Sequence, residues 1–189
     1  TGKQDEDEVG VAISVAWTES GGRTMPVEVL LVEGDGKLQI TGQVGKVMPE
    51  SAQAALSYLK SRSSQLKIPR ERYEEVDTHI HIPEGAVPKE GPSAGITLTV
   101  ALASAFTGRT VHREIGMTGE ITLRGNILPV GGVREKVVAA HREGLKAVII
   151  PAQNMTDLEN VPDQAREEMK IVPVDHMDQV LQIALASPA

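Results

Sequence analysis

A mixed α/β or α+β fold in a single domain is predicted by three features of this 189-residue chain. Its length suits one domain, and a chain of this size buries ~70% of its unfolded surface, enough for a self-sufficient core. Segments with the period-2 alternation of strands are interspersed with segments of helical period 3.6. They succeed one another without an internal repeat, so strands and helices are expected to share one core. With one Trp, two Tyr and one Phe, that core must be built from aliphatic side chains.

Residues 1–8 include the run Asp5-Glu6-Asp7-Glu8 against the single Lys3 and read as an acidic, solvated linker remnant. The folded domain is expected over residues 9–189. Residues 9–17 and 27–32 are β-branched runs separated by Glu19-Ser20-Gly21-Gly22-Arg23, which is turn chemistry. A second turn, Gly34-Asp35-Gly36, precedes residues 38–41, and the three runs predict an antiparallel meander. Pro49 opens a helix with Ala52, Ala55, Leu56 and Leu59 on its apolar stripe and Lys60, Arg62 and Lys67 toward its end, closed by Pro69.

Residues 76–82 alternate strictly, with Val76, Thr78, Ile80 and Ile82 on one face and Asp77, His79 and His81 on the other, as in a half-buried strand. Residues 84–91 form a loop by composition. Pro92 then starts a helix over 93–106, stopped by Gly108, whose apolar circumference makes it the central helix. Short strands are expected at 114–117 and 127–130, a helix at 132–143 ending at Gly144, strands at 147–150 and 171–174, and a helix at 177–185.

Composition excludes several functions. The absence of cysteine removes disulfides, thiolate metal sites and a cysteine nucleophile, and suits a reducing compartment such as the cytoplasm. A net charge of −7 and few aromatic platforms argue against nucleic-acid binding. The most apolar stretch, residues 96–106, is too short for the ~18 residues that span a bilayer, and the charged start is not a signal peptide.

The first candidate for chemistry is Gly91-Pro92-Ser93-Ala94-Gly95. A serine in the first helical turn shares its space with unpaired backbone N–H groups and the positive dipole end, where a nucleophile and an oxyanion cradle coincide. A serine there also simply decorates a helix start, and the spacing does not choose. The base could be a histidine, among His79, His81, His112, His141 and His176, or a neutral lysine. His79 and His81 share a strand face, as an H-x-H metal pair would, without an evident third ligand. Lys136 falls at the margin of the apolar stripe Val133, Val137 and Ala140, ~60° from Val133, where a lysine either snorkels or catalyses.

Several ordered blocks then carry a resemblance: Pro83-Glu84-Gly85, Pro88-Lys89-Glu90-Gly91-Pro92-Ser93-Ala94-Gly95, Met117-Thr118-Gly119-Glu120-Ile121-Thr122-Leu123-Arg124-Gly125, Leu128-Pro129-Val130-Gly131-Gly132 and Glu135-Lys136. From about Val9 onward the chain resembles the proteolytic domain of bacterial Lon ATP-dependent proteases of the soluble type. The resemblance implies a small mixed sheet with packed helices. It also implies a serine-lysine dyad, Ser93 as nucleophile and Lys136 as general base, with Thr118 supporting the lysine and the backbone of Ser93 and Ala94 forming the oxyanion hole. His79 and His81 match family histidines that the dyad does not require, and Glu90 stands where other members often carry aspartate.

The activity implied is ATP-dependent endoproteolysis of unfolded, damaged and regulatory proteins through an acyl-enzyme, in a cytoplasmic hexameric ring. No cofactor and no metal is expected in this domain. ATP and magnesium would belong to an ATPase module that this sequence lacks, since nothing matches G-x-x-x-x-G-K-[ST]. The expected partners are unfolded polypeptides, the protein's own ATPase and N-terminal domains and further copies of the chain, with neither membrane nor nucleic acid. Two other readings compete: a catalytically silent assembly module on the same scaffold, which retention of both Ser93 and Lys136 opposes, and a small-molecule kinase, which the lack of a longer glycine-rich cradle opposes.

Overall fold

The first apolar run divides at a glycine. In the computed structural model, which describes residues 6–18, 21–42, 44–83 and 92–188, a short β1 (Glu8–Val9) precedes β2 (Val11–Thr18), with Gly10 between them. Gly10 has φ +80°, its N–H donates to the buried Ser104 hydroxyl at 2.8 Å, and its carbonyl accepts from the Val29 N–H at 2.7 Å. The expected tail begins to be held here. Asp7 accepts from the Arg113 N–H and Glu8 pairs with the Arg113 guanidinium, while residues 1–5 lie outside the described residues.

β3 (Gly21–Glu33) pairs antiparallel with β2 from Val11 opposite Glu28 to Thr18 opposite Gly21. Of the expected turn, Glu19 and Ser20 lie outside the described residues, and Gly21 to Arg23 already belong to the strand. β4 (Leu38–Thr41) departs from the expected meander. It does not pair with β3; β5 (Val76–His81) lies between them, antiparallel to β3 and parallel to β4. The cause is in the second turn. The Asp77 carboxylate accepts from the Asp35 and Lys37 N–H groups, and the Gly34 and Gly36 N–H groups donate to the Glu75 and Val76 carbonyls. Those backbone donors find their acceptors at residues 75–77, where the chain enters β5, which holds the Asp77 carboxyl below its ordinary range and places β4 beyond β5.

The helix expected from Pro49 starts at Val47. α1 (Val47–Ser61) carries the proline in its first turn, where a missing N–H is not needed. It buries Met48, Ala52, Ala55, Tyr58 and Leu59. Two single turns, α2 (Ser63–Leu66) and α3 (Arg72–Glu75), lead into β5, whose Val76, Thr78 and Ile80 are buried while Asp77, His79 and His81 are half-buried, as the alternation predicts.

A 3-10 turn at Pro92–Ala94 opens α4 (Gly95–Thr107), which ends at Gly108 with φ +75°. Every residue of α4 except Ala105 and Thr107 is buried, and its polar Thr99 and Ser104 turn their hydroxyls to the carbonyls of Gly95 and Arg109. β6 (Thr110–Val111) pairs with β1. Next come β7 (Ile115–Met117), β8 (Glu120–Ile121) and β9 (Ile127–Leu128), the last two forming their own small hairpin. The strand expected at 127–130 stops at Leu128 because Asn154 takes the backbone of Val130.

α5 (Val133–Arg142), β10 (Ala147–Pro151), a 3-10 segment at Ala152–Leu158, α6 (Asp163–Glu168), β11 (Lys170–Val174) and α7 (Met177–Ala184) complete the chain. Neither the 3-10 segment nor α6 is anticipated by periodicity, since both are short and largely polar. Among the described residues the main sheet runs β11-β10-β7-β2-β3-β5-β4. It separates two apolar clusters. Ile149 joins α1, α4 and α7 on one side; Val148 and Ile150 join α5, the 3-10 segment and α6 on the other. The fold is thus mixed α/β around one mixed sheet, and no helix among the described residues is long and apolar enough to cross a membrane.

An added Cβ at Gly10 would lie 2.4 Å from the Val29 carbonyl oxygen in a left-handed backbone. Gly10→Ala is expected to lower stability by about 1–3 kcal/mol, read as a lower urea midpoint; an unchanged midpoint would show that this junction relaxes freely.

Candidate active site

Ser93 sits in the 3-10 turn that opens α4 and is partly exposed, while Ala94 beside it is buried. Two main-chain bonds hold this turn against the segment after β7: the Gly119 N–H donates to the Ser93 carbonyl at 2.9 Å, and the Ile96 N–H donates to the Gly119 carbonyl at 3.1 Å. The close approach requires a small residue. A Cβ on Gly95 would meet the Ile121 nitrogen at 3.1 Å and the Gly119 oxygen at 3.3 Å.

Thr118, fully buried next to Gly119, is fixed from the other direction by its N–H, which donates to the Ile149 carbonyl of β10 at 3.1 Å. Its hydroxyl accepts from the Lys136 ammonium nitrogen Nζ at 3.0 Å. Ser93 and Lys136 are therefore tied to consecutive residues, Ser93 to Gly119 through its main chain and Lys136 to Thr118 through its side chain.

Lys136 is 3% exposed. The helical wheel places it at a margin, but α5 is covered by β2 and β3 beneath and by the 3-10 segment beside it, so the margin lies inside. An ammonium there loses its water, and desolvation alone lowers its pKa from 10.5 to about 8. The amine is thus within reach of neutrality under ordinary conditions, with a hydroxyl partner already in place.

The histidines are engaged elsewhere. His79 Nε2 and His81 Nδ1 converge on the Thr41 hydroxyl at 2.8 and 2.7 Å, tying β5 to β4. His112 faces Asp7, His141 pairs with Glu168, and His176 caps α7. Among the described residues no group of three or more His, Asp or Glu is arranged to hold a metal ion. Glu90 and the expected loop 84–91 lie outside the described residues.

A small cleft of about 160 Å³ adjoins the serine turn, lined by Val47, Glu50, Gly95, Glu120 and Ile121 among others. Larger clefts beside Arg62 and beside Lys60, about 400 and 570 Å³, include none of Ser93, Thr118 and Lys136. Sequence alone assigns no part to Gly119 or Asn154. A glycine in a motif block and an asparagine outside every periodic segment carry no local signal of the backbone bonds they make.

Residues 1–187 match the profile described as the Lon protease (S16) C-terminal proteolytic domain. The chain is similar to the Lon proteases of Chloroflexus aggregans, 54% identical over 183 residues, and Dictyoglomus thermophilum, 55% identical over 183 residues, each match covering 97% of this chain. The Lon protease of Brevibacillus choshinensis is 54% identical over 182 residues, or 96% of the chain. The chain spans 22%, 23% and 23% of the lengths of these relatives.

Burial of Lys136 has a cost that can be measured. Below pH 8 both folded and unfolded states carry the charge, and the folded state bears the desolvation; between about 8 and 10.5 the unfolded state binds the proton more tightly, so this group makes stability rise with pH across that window. Lys136→Met is expected to raise stability at pH 7 by roughly 2–3 kcal/mol, a gain that shrinks as pH rises through the window. Urea titrations at pH 7 and pH 10.5 giving equal differences would contradict the depressed pKa.

Proposed function

Because the chain belongs to the Lon protease (S16) C-terminal proteolytic-domain family, we propose that it is the hydrolytic part of an ATP-dependent serine endopeptidase working through a Ser93–Lys136 dyad. The observation that carries this reading is the buried contact of the Lys136 amine with Thr118, one residue from the glycine that holds the Ser93 turn. A base for a serine hydroxyl must be neutral when substrate is bound, and this lysine is the buried amine whose pKa is lowered toward physiological pH.

In the proposed mechanism Ser93 Oγ attacks the carbonyl carbon of an extended peptide while its proton passes to Lys136 Nζ. The resulting oxyanion is met by the backbone N–H groups of Ser93 and Ala94 at the head of α4, where the helix dipole favours negative charge. Collapse breaks the C–N bond, and the leaving amine takes the proton from Lys136. Water then adds to the acyl-enzyme, giving its proton to Lys136, and the Ser93 hydroxyl is regenerated as the acid product leaves. Thr118 keeps the amine oriented through both half-reactions.

By the same reading the substrates are unfolded, damaged and regulatory proteins delivered as extended chain, since a folded loop cannot present its backbone to such a site. The domain would act in the cytoplasm within a hexameric ring of full-length chains, alongside ATPase and N-terminal domains; ATP and magnesium would serve the ATPase domain, with no cofactor or metal here.

Ser93→Ala and Lys136→Met, each folded, are expected to reduce cleavage of an unfolded protein by at least about 10³-fold; parent-like cleavage by either would refute the dyad. The rate for the parent enzyme should climb about tenfold per pH unit below 8 and level above it, because the free-amine fraction does. A peptide boronate should modify Ser93, and a flat pH profile from mildly acidic to mildly basic conditions would remove Lys136 as base.

A further inference from the structure

Val130 has no strand partner, yet both of its backbone polar groups are used. Its N–H donates to Asn154 Oδ1 at 2.9 Å, and its carbonyl accepts from Asn154 Nδ2, also at 2.9 Å. The second Nδ2 hydrogen goes to the Asp157 carboxylate at 2.7 Å, which fixes the way the carboxamide faces. Asn154 is 5% exposed. A buried asparagine making three hydrogen bonds, two of them to one backbone residue, is a clamp on that residue.

The clamp matters because of the two glycines next in the chain. Gly131 and Gly132 lead into α5; Gly131 has open space where a Cβ would stand, and Gly132 adopts φ +68° with its carbonyl accepting from the Lys136 N–H at 2.9 Å. Two glycines impose no direction of their own. The course of the chain into α5 must be set from outside, by Asn154 on one side and by the Trp17 side chain against Gly132 on the other.

Asn154 also belongs to the stretch that positions the lysine's partner. The Ile149 carbonyl, five residues earlier in β10, accepts from the Thr118 N–H. One continuous stretch, β10 and its 3-10 extension, therefore registers both the acceptor hydroxyl and the start of the helix that carries the amine. We propose that Asn154 is a positioning residue for the Lys136 amine, holding α5 in register with Thr118 by clamping Val130. Its influence on rate rests on the dyad reading above; its influence on the amine itself does not.

The charged surroundings leave desolvation as the lever. β2 and β10 bring no ionisable side chain to α5. β3 carries Arg23 in the stretch that packs on the helix, the 3-10 segment carries Asp157, which is engaged with Asn154, and α6 carries Asp163, Arg166, Glu167 and Glu168, the last engaged with His141 at the far end of α5. Loosening the register of α5 admits water to the amine and weakens its contact with Thr118, which moves its titration back toward that of an ordinary lysine.

The test is direct titration of Lys136 by the ¹³Cε resonance of labelled lysine in the parent chain and in Asn154→Ala. The midpoint is expected to rise by about one unit in the variant, and peptide cleavage at neutral pH to fall about tenfold through kcat with the pH profile displaced equally. If Asn154→Ala does not fold, Asn154→Ser serves: it brings no charge to the buried position, its single hydroxyl can meet at most one of the two Val130 backbone groups, and it should give a smaller upward shift. An unmoved Lys136 midpoint in the folded variant overturns the proposal, whatever happens to activity. A midpoint that rises while the cleavage profile stays in place upholds the positioning and rejects Lys136 as the base.

Discussion

The hydrogen bond from Lys136 to Thr118, made where water cannot reach, is the constraint around which this site is arranged. A lysine in water is a strongly hydrated cation and a useless base at neutral pH. Stripping its water makes the neutral form accessible, but it also leaves donors that need an acceptor. Thr118 supplies one, and as a neutral hydroxyl it does so without restoring the charge that a carboxylate would stabilise. The energetic cost falls on the fold.

The architecture around this contact is densely connected. Thr118 is tied by its N–H to β10, Gly119 is tied by both backbone groups to the serine turn, and α4 behind that turn is buried almost all round. Small residues make these approaches feasible: Gly95 lets the head of α4 meet residues 119–121, and Gly10 lets β1 turn against β3. Neither contact adds much apolar area. Both let two main-chain segments meet where a larger side chain would collide with backbone.

The sheet distributes the parts between its two sides. α1, α4 and α7 share one apolar cluster, while α5 packs with α6 in the other. The serine turn and the lysine helix therefore approach from opposite layers and meet at the segment that leaves β7. Beyond that meeting point β8 and β9 form a separate hairpin, with Leu123 exposed in the connection between them, so the sheet contributes a frame and the segment after β7 contributes the junction.

Much of this was legible in the chain itself. Alternation over residues 76–82 identified β5 and its buried face, the apolar circumference of 93–106 identified the central helix, and the ordered motif blocks identified the family, whose resemblance implies roles for Ser93, Thr118 and Lys136. These are local or additive properties, encoded in periodicity and in residue type. The order of β3, β5 and β4 was decided by tertiary structure, because the donors of the Gly34–Gly36 turn find acceptors at the entry to a strand forty residues away. The environment of Lys136 was decided in the same way. A helical wheel records the angle of a side chain but not what covers that angle, and desolvation depends wholly on the covering.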